Sequence, residues 1–156
     1  MNILIVYDSL YGNTEKIAKQ MAEALQAEQV KIVTAKDAKA RDLFSVDLLI
    51  AGTPTHGGNP SQGMKDFLTQ LPAGLLKNIK AAAFDTGIPV DGQKGFKRLV
   101  IKFIGYAAKR LGNALKKNGA TVIAAETFFV LDKEGPLKEG ELERSGQWAR
   151  GLLKKS

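Results

Sequence analysis

The chain has 156 residues, of which 44% are hydrophobic and 25% charged, so we predict one globular domain over residues 1–156 that is long enough to bury a core. The absence of cysteine excludes disulfides and thiolate-bound metal centres, and a single histidine, His56, argues against a histidine-rich metal site. The sequence shows no basic leader before an apolar core and no stretch of the ~20 apolar residues that span a bilayer, so we expect a cytoplasmic protein.

The net charge of +7 is confined to one part of the sequence. Residues 88–118 contain eight basic residues and one acidic residue, so this segment alone carries +7. The rest of the chain has 15 basic and 15 acidic residues and is neutral. The excess charge therefore marks a local surface rather than a generally basic protein.

Apolar runs alternate with helical patterns along the whole chain. Runs without polar alternation predict buried strands, and apolar residues three or four positions apart predict helices that cover them. The predicted strands are residues 2–7, 30–34, 46–51, 81–84 and 120–131, and the predicted helices are residues 14–27, 62–71, 96–117 and 142–153. This alternation indicates a parallel sheet with helices on both faces.

Three loops are predicted at the edge where such sheets bind ligands, beyond the carboxyl ends of the strands. They are "DSLYGNT" after the first strand, "GTPTHGGNP" after the third and "DTGIPVDG" after the fourth. All three are rich in glycine, proline and small polar residues, whereas connections at the opposite edge, such as "KDAKARDLFS", are ordinary charged surface. The ligand site is therefore expected among these three loops.

The first loop has the composition of a phosphate-binding turn. Ser9, Asn13 and Thr14 are side-chain donors, Gly12 permits a positive φ, and the helix that follows directs free N–H groups at the same place. No lysine or arginine lies in the turn, and the GxxxxGK[ST] and GxGxxG patterns are absent. These donors suit a mononucleotide-type phosphate monoester; the alternative is a tight turn that only caps a helix.

The sequence "YDSLYGNTE" resembles the phosphate loop of flavodoxins, in which a small hydroxyl residue and two variable residues precede Gly-Asn-Thr. "GTPTHGGNPSQGMKDFL" is similar to the flavodoxin loop and helix after the third strand, and "FDTG" stands where the loop after the fourth strand belongs. The order of elements is similar to that of short-chain flavodoxins over essentially the whole chain. The resemblance implies an α/β, flavodoxin-like three-layer sandwich whose five parallel strands lie in the order 2-1-3-4-5.

The resemblance also implies that the cofactor is flavin mononucleotide (FMN), in a site with no metal and no catalytic residue. Side chains and amides of the first loop would hold the phosphate: Ser9, Leu10, Tyr11, Gly12, Asn13 and Thr14. The isoalloxazine ring would contact residues that follow the third and fourth strands: Thr53, Pro54, Thr55, His56, Gly57, Gly58, Asp85, Thr86 and Gly87.

Two of these loops differ from the flavodoxin pattern. Flavodoxins usually place an aromatic residue in both ring-binding loops, whereas this chain has Thr55 and His56 in one and residues 88–90, Ile-Pro-Val, in the other. The missing aromatic contacts predict weaker flavin binding, since each contributes about 0.5–1.5 kcal/mol. Alternative roles are a plain surface histidine for His56 and, more commonly, a cap of its own turn for Asp85.

Residues 96–117 form an amphipathic pattern if they make one helix. Four basic residues, Arg98, Lys102, Lys109 and Lys116, then fall on a narrow stripe, opposite Val100, Phe103, Ile104, Ala107, Leu111 and Leu115. A packed surface helix with solvated lysines has the same pattern. Because the stripe follows a predicted flavin loop, we predict a redox partner with an acidic docking face, with an anionic membrane surface as the alternative and no nucleic-acid partner.

The predicted function is an FMN-binding electron carrier that passes one or two electrons between redox partners. One alternative is an FMN-dependent oxidoreductase that acts on NAD(P)H or a quinone. The other is a flavin-free interaction module that uses the basic helix 94–117. The sequence shows no acid–base residues or nucleotide-recognition motif for a stand-alone catalyst.

Overall fold

A computed structural model describes the backbone of residues 1–156 and every side chain except that of Phe103, a residue predicted on the apolar side of the basic helix. Its centre is one sheet of five parallel strands in the order β2-β1-β3-β4-β5. The strands are β1 (Asn2–Tyr7), β2 (Gln29–Thr34), β3 (Leu48–Pro54), β4 (Lys80–Gly87) and β5 (Thr121–Phe129). The predicted flavodoxin-like α/β fold and its strand order are confirmed.

Helices cover both faces of this sheet because successive side chains of a strand point to opposite sides. Ile3 and Ile5 of β1 lie in one core cluster, and Leu4 and Val6 lie in the other. The first cluster is covered by α1 (Asn13–Ala24) and α5 (Glu141–Leu153), and the second by α2 (Gln62–Gln70) and α4 (Ala107–Lys117). The remaining helices are α3 (Gly95–Ile104) and a 3-10 turn (Ala40–Leu43).

The sheet extends further toward the ligand edge than the apolar runs predict. β3 and β4 stay paired beyond the apolar residues, with Thr53 opposite Asp85 and Pro54 opposite Thr86. β4 lies between two strands, so its polar end still has partners on both sides. Five predicted loop residues therefore belong to strand ends: Thr53, Pro54, Asp85, Thr86 and Gly87.

The prediction of one helix over residues 94–117 is wrong. The chain forms α3 and α4, separated by Gly105 and Tyr106. Gly105 has φ 73° and ψ −162°, and Tyr106 is extended, with φ −112° and ψ 155°. The Gly105 conformation is open essentially to glycine alone, so the apolar periodicity continues across a point where the backbone turns. Among the described residues, no helix has the length and apolar character needed to cross a bilayer.

Candidate functional site

A cavity of about 340 Å³ opens at the carboxyl edge of the sheet, where all three predicted loops meet. Twelve of the fifteen predicted site residues line it: Ser9, Leu10, Tyr11, Asn13, Thr14, Pro54, Thr55, His56, Gly57, Gly58, Thr86 and Gly87. Of the other three, Gly12 forms the turn, and Thr53 and Asp85 are fully buried.

The first loop presents free backbone donors to the cavity. Gly12, with φ 86°, immediately precedes α1. The Ser9 hydroxyl oxygen accepts hydrogen bonds from the N–H groups of Gly12 (3.1 Å) and Glu15 (3.3 Å), which leaves its own O–H able to donate. Four other N–H groups have no acceptor among the described residues: Leu10, Tyr11, Asn13 and Thr14. Free amides at a helix start are an anion-binding arrangement.

The second loop is a tight turn that packs against the end of α3. His56 and Asn59 exchange backbone hydrogen bonds of 3.0 and 2.9 Å, and Gly57 and Gly58 between them have φ 54° and 75°. A Cβ at Gly58 would lie 2.8 Å from the Ile104 carbonyl oxygen, whereas no atom lies within 4 Å of a Cβ built at Gly57. The second loop therefore packs against α3 at Gly58 and faces open space at Gly57.

Thr53 supports this loop without reaching the cavity. Its hydroxyl oxygen accepts the Ser61 N–H at 2.9 Å, and the Ser61 hydroxyl donates to Asp8 at 2.5 Å. The Ser61 oxygen also accepts from the Met64 N–H at the start of α2. Strand β3, the first loop and α2 are therefore tied together beneath the site.

Asp85 caps a helix start rather than its own turn. One carboxylate oxygen accepts the Ala107 N–H at 2.8 Å, at the start of α4, and also the hydroxyl of Thr55. The other oxygen has no hydrogen-bond partner among the described residues. Burial raises the pKa of Asp85, although its hydrogen bonds act in the opposite direction. Asp85 thus links Thr55, which lines the cavity, to the break between α3 and α4.

The structure adds a wall that the sequence did not predict. Val100, Ile101 and Ile104 of α3 line the cavity, together with Tyr106. The Tyr106 hydroxyl donates to the Ile88 carbonyl (2.9 Å) and accepts the Val90 N–H (3.1 Å). The Tyr106 ring packs edge-on against the Phe129 ring, with the two ring centres 5.9 Å apart. The break at Gly105 places Tyr106 at the cavity. In the sequence, a glycine followed by an aromatic residue inside a helical pattern could have indicated this break.

The basic stripe is divided between two helices. Arg98 and Lys102 lie on α3 and Lys109 and Lys116 on α4, and all four are exposed. Helix α3 also carries two exposed apolar side chains, Phe96 (80% exposed) and Leu99 (51%). None of the four basic residues forms an ion pair with a described acidic side chain. Helix α3 lines the cavity and α4 does not, and the basic residue of α3 that lines it is Lys97.

Arg110 is a structural exception among the basic residues. Its guanidinium donates to the Asn59 side-chain oxygen at 2.8 Å and to the Ile104 carbonyl at 3.3 Å. These two bonds join the second loop to the end of α3. Arg110 therefore stabilises the cavity wall through these two hydrogen bonds.

Comparison with known proteins gives a consistent result. A family model described as Flavodoxin matches residues 5–148. A flavodoxin from the domain Archaea has a TM-score of 0.77 at 18% identity and covers 99% of this chain and 98% of its own. The two-electron reduced flavodoxin of Megasphaera elsdenii has a TM-score of 0.68 at 27% identity, with coverage of 96% and 98%. A Fusobacterium nucleatum flavodoxin bound to flavin mononucleotide has a TM-score of 0.69 at 16% identity, with coverage of 99% and 98%.

Proposed function

The chain belongs to the flavodoxin family, and we propose from this that it is an electron carrier whose cofactor is FMN. When bound, FMN supplies one- and two-electron redox chemistry, and the protein supplies binding, orientation and electrostatic tuning.

The free donors of the first loop are the observation that carries the proposal. The N–H groups of Leu10, Tyr11, Asn13 and Thr14 lack acceptors among the described residues, and they lie at the positive end of α1. A phosphate monoester satisfies such donors without a lysine inside the turn. The Ser9 hydroxyl and the open space at Gly12 belong to the same cradle. The donor set therefore fits the phosphate of FMN.

The remaining walls fit a planar aromatic ring. Thr55, His56, Gly57, Thr86 and Gly87 line the rest of the cavity with small and polar groups, together with the apolar side chains of Val100, Ile101, Ile104 and Tyr106. We propose that these side chains replace the aromatic contacts missing from the second and third loops, and that they exclude water from the ring.

Reconstitution with FMN tests the proposed function. The protein is stripped of bound flavin by dialysis, titrated with FMN, and followed by the flavin absorption bands and by quenching of flavin fluorescence. We expect one FMN to bind per chain. No flavin retained by the protein after gel filtration, and no quenching of flavin fluorescence, would overturn the proposal. Gly57→Ala in the reconstituted protein is expected to shift the measured potential of the flavin, because a φ of 54° favours glycine.

We further propose that electrons leave and enter at the α3 side of the cavity, toward a partner with an acidic face. Arg98 and Lys102 are exposed there without ion-pair partners in the described chain, beside exposed Phe96 and Leu99. A mixed basic and apolar patch is complementary to an acidic patch with an apolar centre. Charge reversal of these two residues, Arg98→Glu with Lys102→Glu, tests this docking face.

A further inference from the structure

Residues 131–137, here called the strap, contact Asn13 of the first loop. The Asn13 side-chain amide donates to the Glu134 carbonyl at 3.1 Å, across 121 residues of sequence. At Gly135, a Cβ would lie 2.8 Å from the Asn13 side-chain oxygen, so the strap passes too close for a larger residue. One of the two N–H groups of the Asn13 side-chain amide therefore holds the strap against the first loop.

The strap is closed on itself at its base. The Leu131 N–H donates to the Pro136 carbonyl and the Lys138 N–H to the Phe129 carbonyl, both at 2.9 Å. Val130 and Leu137 pair as an isolated antiparallel bridge. These bonds give residues 131–137 a defined place beside the first loop.

A charged pair on α5 fixes the strand from which the strap leaves. The Glu141 carboxylate accepts the Phe129 N–H and an Arg144 N–H, both at 2.7 Å, and the Arg144 guanidinium lies 4.5 Å from the centre of the Phe128 ring. Burial would raise the pKa of Glu141, but its hydrogen bonds outweigh that effect, so the pKa is lowered and the carboxylate stays ionised at neutral pH. The strap thus follows a strand end that is held by an ion pair between the buried Glu141 carboxylate and the partly exposed Arg144 guanidinium.

Lys133 is the residue that the strap contributes to the cavity. It lines the same cavity as Ser9, Asn13 and Thr14. Its neighbours Asp132 and Glu134 do not line the cavity, and the Asp132 carboxylate accepts the Lys133 backbone N–H at 2.8 Å. The Lys133 ammonium makes no ion pair with a described acidic group. Lys133 is therefore a cavity-lining basic residue without an ion pair in the described chain, in a segment that the Asn13–Glu134 hydrogen bond holds against the first loop.

We infer that the strap is part of the phosphate-binding site and that Lys133 is its cationic ligand. This inference rests on the proposed function. A phosphate monoester carries about −1.5 to −2 charges at pH 7, whereas every donor within the first loop is neutral. Lys133 adds positive charge from a distant part of the sequence, and the Asn13 side chain holds the neighbouring Glu134 backbone in place. The other basic residue that lines the cavity, Lys97, belongs to α3. The site therefore selects phosphorylated over unphosphorylated flavin.

The test compares FMN with riboflavin, which has the same ring and no phosphate. Dissociation constants are measured for the wild type, Lys133→Ala and Lys138→Ala, the last removing an exposed lysine that does not line the cavity. We expect Lys133→Ala to bind FMN about fivefold more weakly, the scale of an exposed charge pair, and riboflavin as the wild type does. Lys133→Arg is expected to restore FMN binding, and Lys138→Ala to match the wild type.

Each other outcome overturns a stated part. Equal FMN affinity of Lys133→Ala and Lys138→Ala would show that the Lys133 charge does not contribute to FMN binding. An equal loss of affinity for FMN and riboflavin in Lys133→Ala would show that Lys133 has only a structural role. Either result refutes the inference and leaves the proposed function standing. A wild type that binds neither flavin overturns the proposed function and the inference with it. Added salt should weaken FMN binding by the wild type more than by Lys133→Ala, because it screens the added charge.

Discussion

Helices α3 and α4 have the same kind of sequence and opposite roles. Both are amphipathic and basic, and neither has an acidic residue in its first turn. In α4 five residues are buried: Ala107, Ala108, Leu111, Gly112 and Leu115. In α3 no described side chain is fully buried, and its half-buried residues, Val100 and Ile101, line the cavity.

The difference shows that an apolar helix face does not reveal what covers it. The apolar face of α4 packs into the core cluster that contains Ala81 and Ala83 of β4. The apolar face of α3 lies against a space that fits a ligand. Because burial of apolar surface is non-directional, the same pattern serves a core and a binding site. Substitutions in each helix should therefore separate stability from flavin binding.

Leu111→Ala in α4 should have the largest effect on stability. The side chain is completely buried, so its truncation is expected to lower the free energy of unfolding by about 2–5 kcal/mol. Ile101→Ala in α3 is the matched change, expected to cost less than about 1 kcal/mol in the flavin-free protein but to weaken FMN binding. Urea unfolding and FMN titration of both variants measure this; equal losses of stability would refute the contrast.

Gly105→Ala should come next, because it places a side chain in the conformation that separates the two helices. The strain is about 1–3 kcal/mol, and detachment of α3 would relieve part of it. The free energy of unfolding should therefore fall by an amount near the lower end of this range. FMN affinity should also fall, because α3 is a wall of the cavity. Gly151→Ala is the control. That glycine lies inside α5 with open space around it, and alanine there should stabilise by up to about 1 kcal/mol. Unfolding curves and flavin titrations decide the outcome.

Asp85→Asn tests how α4 is held at the break. The folded-state pKa of Asp85 is raised, so its contribution to stability is fully present below the unfolded pKa of about 3.9 and is lost as pH rises through the folded pKa. Asparagine does not titrate. The stability of the variant relative to the wild type should therefore increase with pH above about 4. Urea unfolding between pH 4 and 8 measures the difference, and a constant difference would contradict the assignment.

Charge reversal on the two halves of the stripe should have the smallest effect on stability. Arg98→Glu with Lys102→Glu on α3, and Lys109→Glu with Lys116→Glu on α4, should each change the free energy of unfolding by about 0.5 kcal/mol or less. At low ionic strength, the α3 pair should slow oxidation of the reduced protein by hexacyanoferrate(III) severalfold and speed oxidation by the cationic hexaammineruthenium(III). Stopped-flow rates test this; equal effects from both pairs would show that α3 is not the docking face.

Much of the fold followed from local patterns. All five strands were predicted within a few residues. The central strands β1, β3 and β4 are continuous apolar runs because both of their faces are covered, whereas the partly exposed edge strands β2 and β5 were recognised by their β-branched and aromatic residues. The first loop was also predicted, since its donors are adjacent in sequence. The ends of β3 and β4 were missed because Thr53, Asp85 and Thr86 are polar and stay paired only through their neighbours in the sheet.

The missed site residues are those that reach the cavity from elsewhere. Tyr106 was placed inside a helix, and Lys133 had no motif around it. Asp85 does not reach the cavity, but its contact was also missed, because it caps α4 at Ala107 rather than its own turn. In each case the contact joins segments far apart in the sequence, for which local spacing has no signal.

The sequence by itself determined the alternation of strands and helices, the polar, glycine-containing first loop and the local excess of positive charge, because each depends on residues that are neighbours in the chain. Only the tertiary structure decided that the basic segment is two helices, that one of them forms a cavity wall, and that Lys133 stands beside the first loop. The physical reason is that these features depend on one backbone turn at Gly105 and on hydrogen bonds such as that from Asn13 to Glu134, which exist only once the chain has folded.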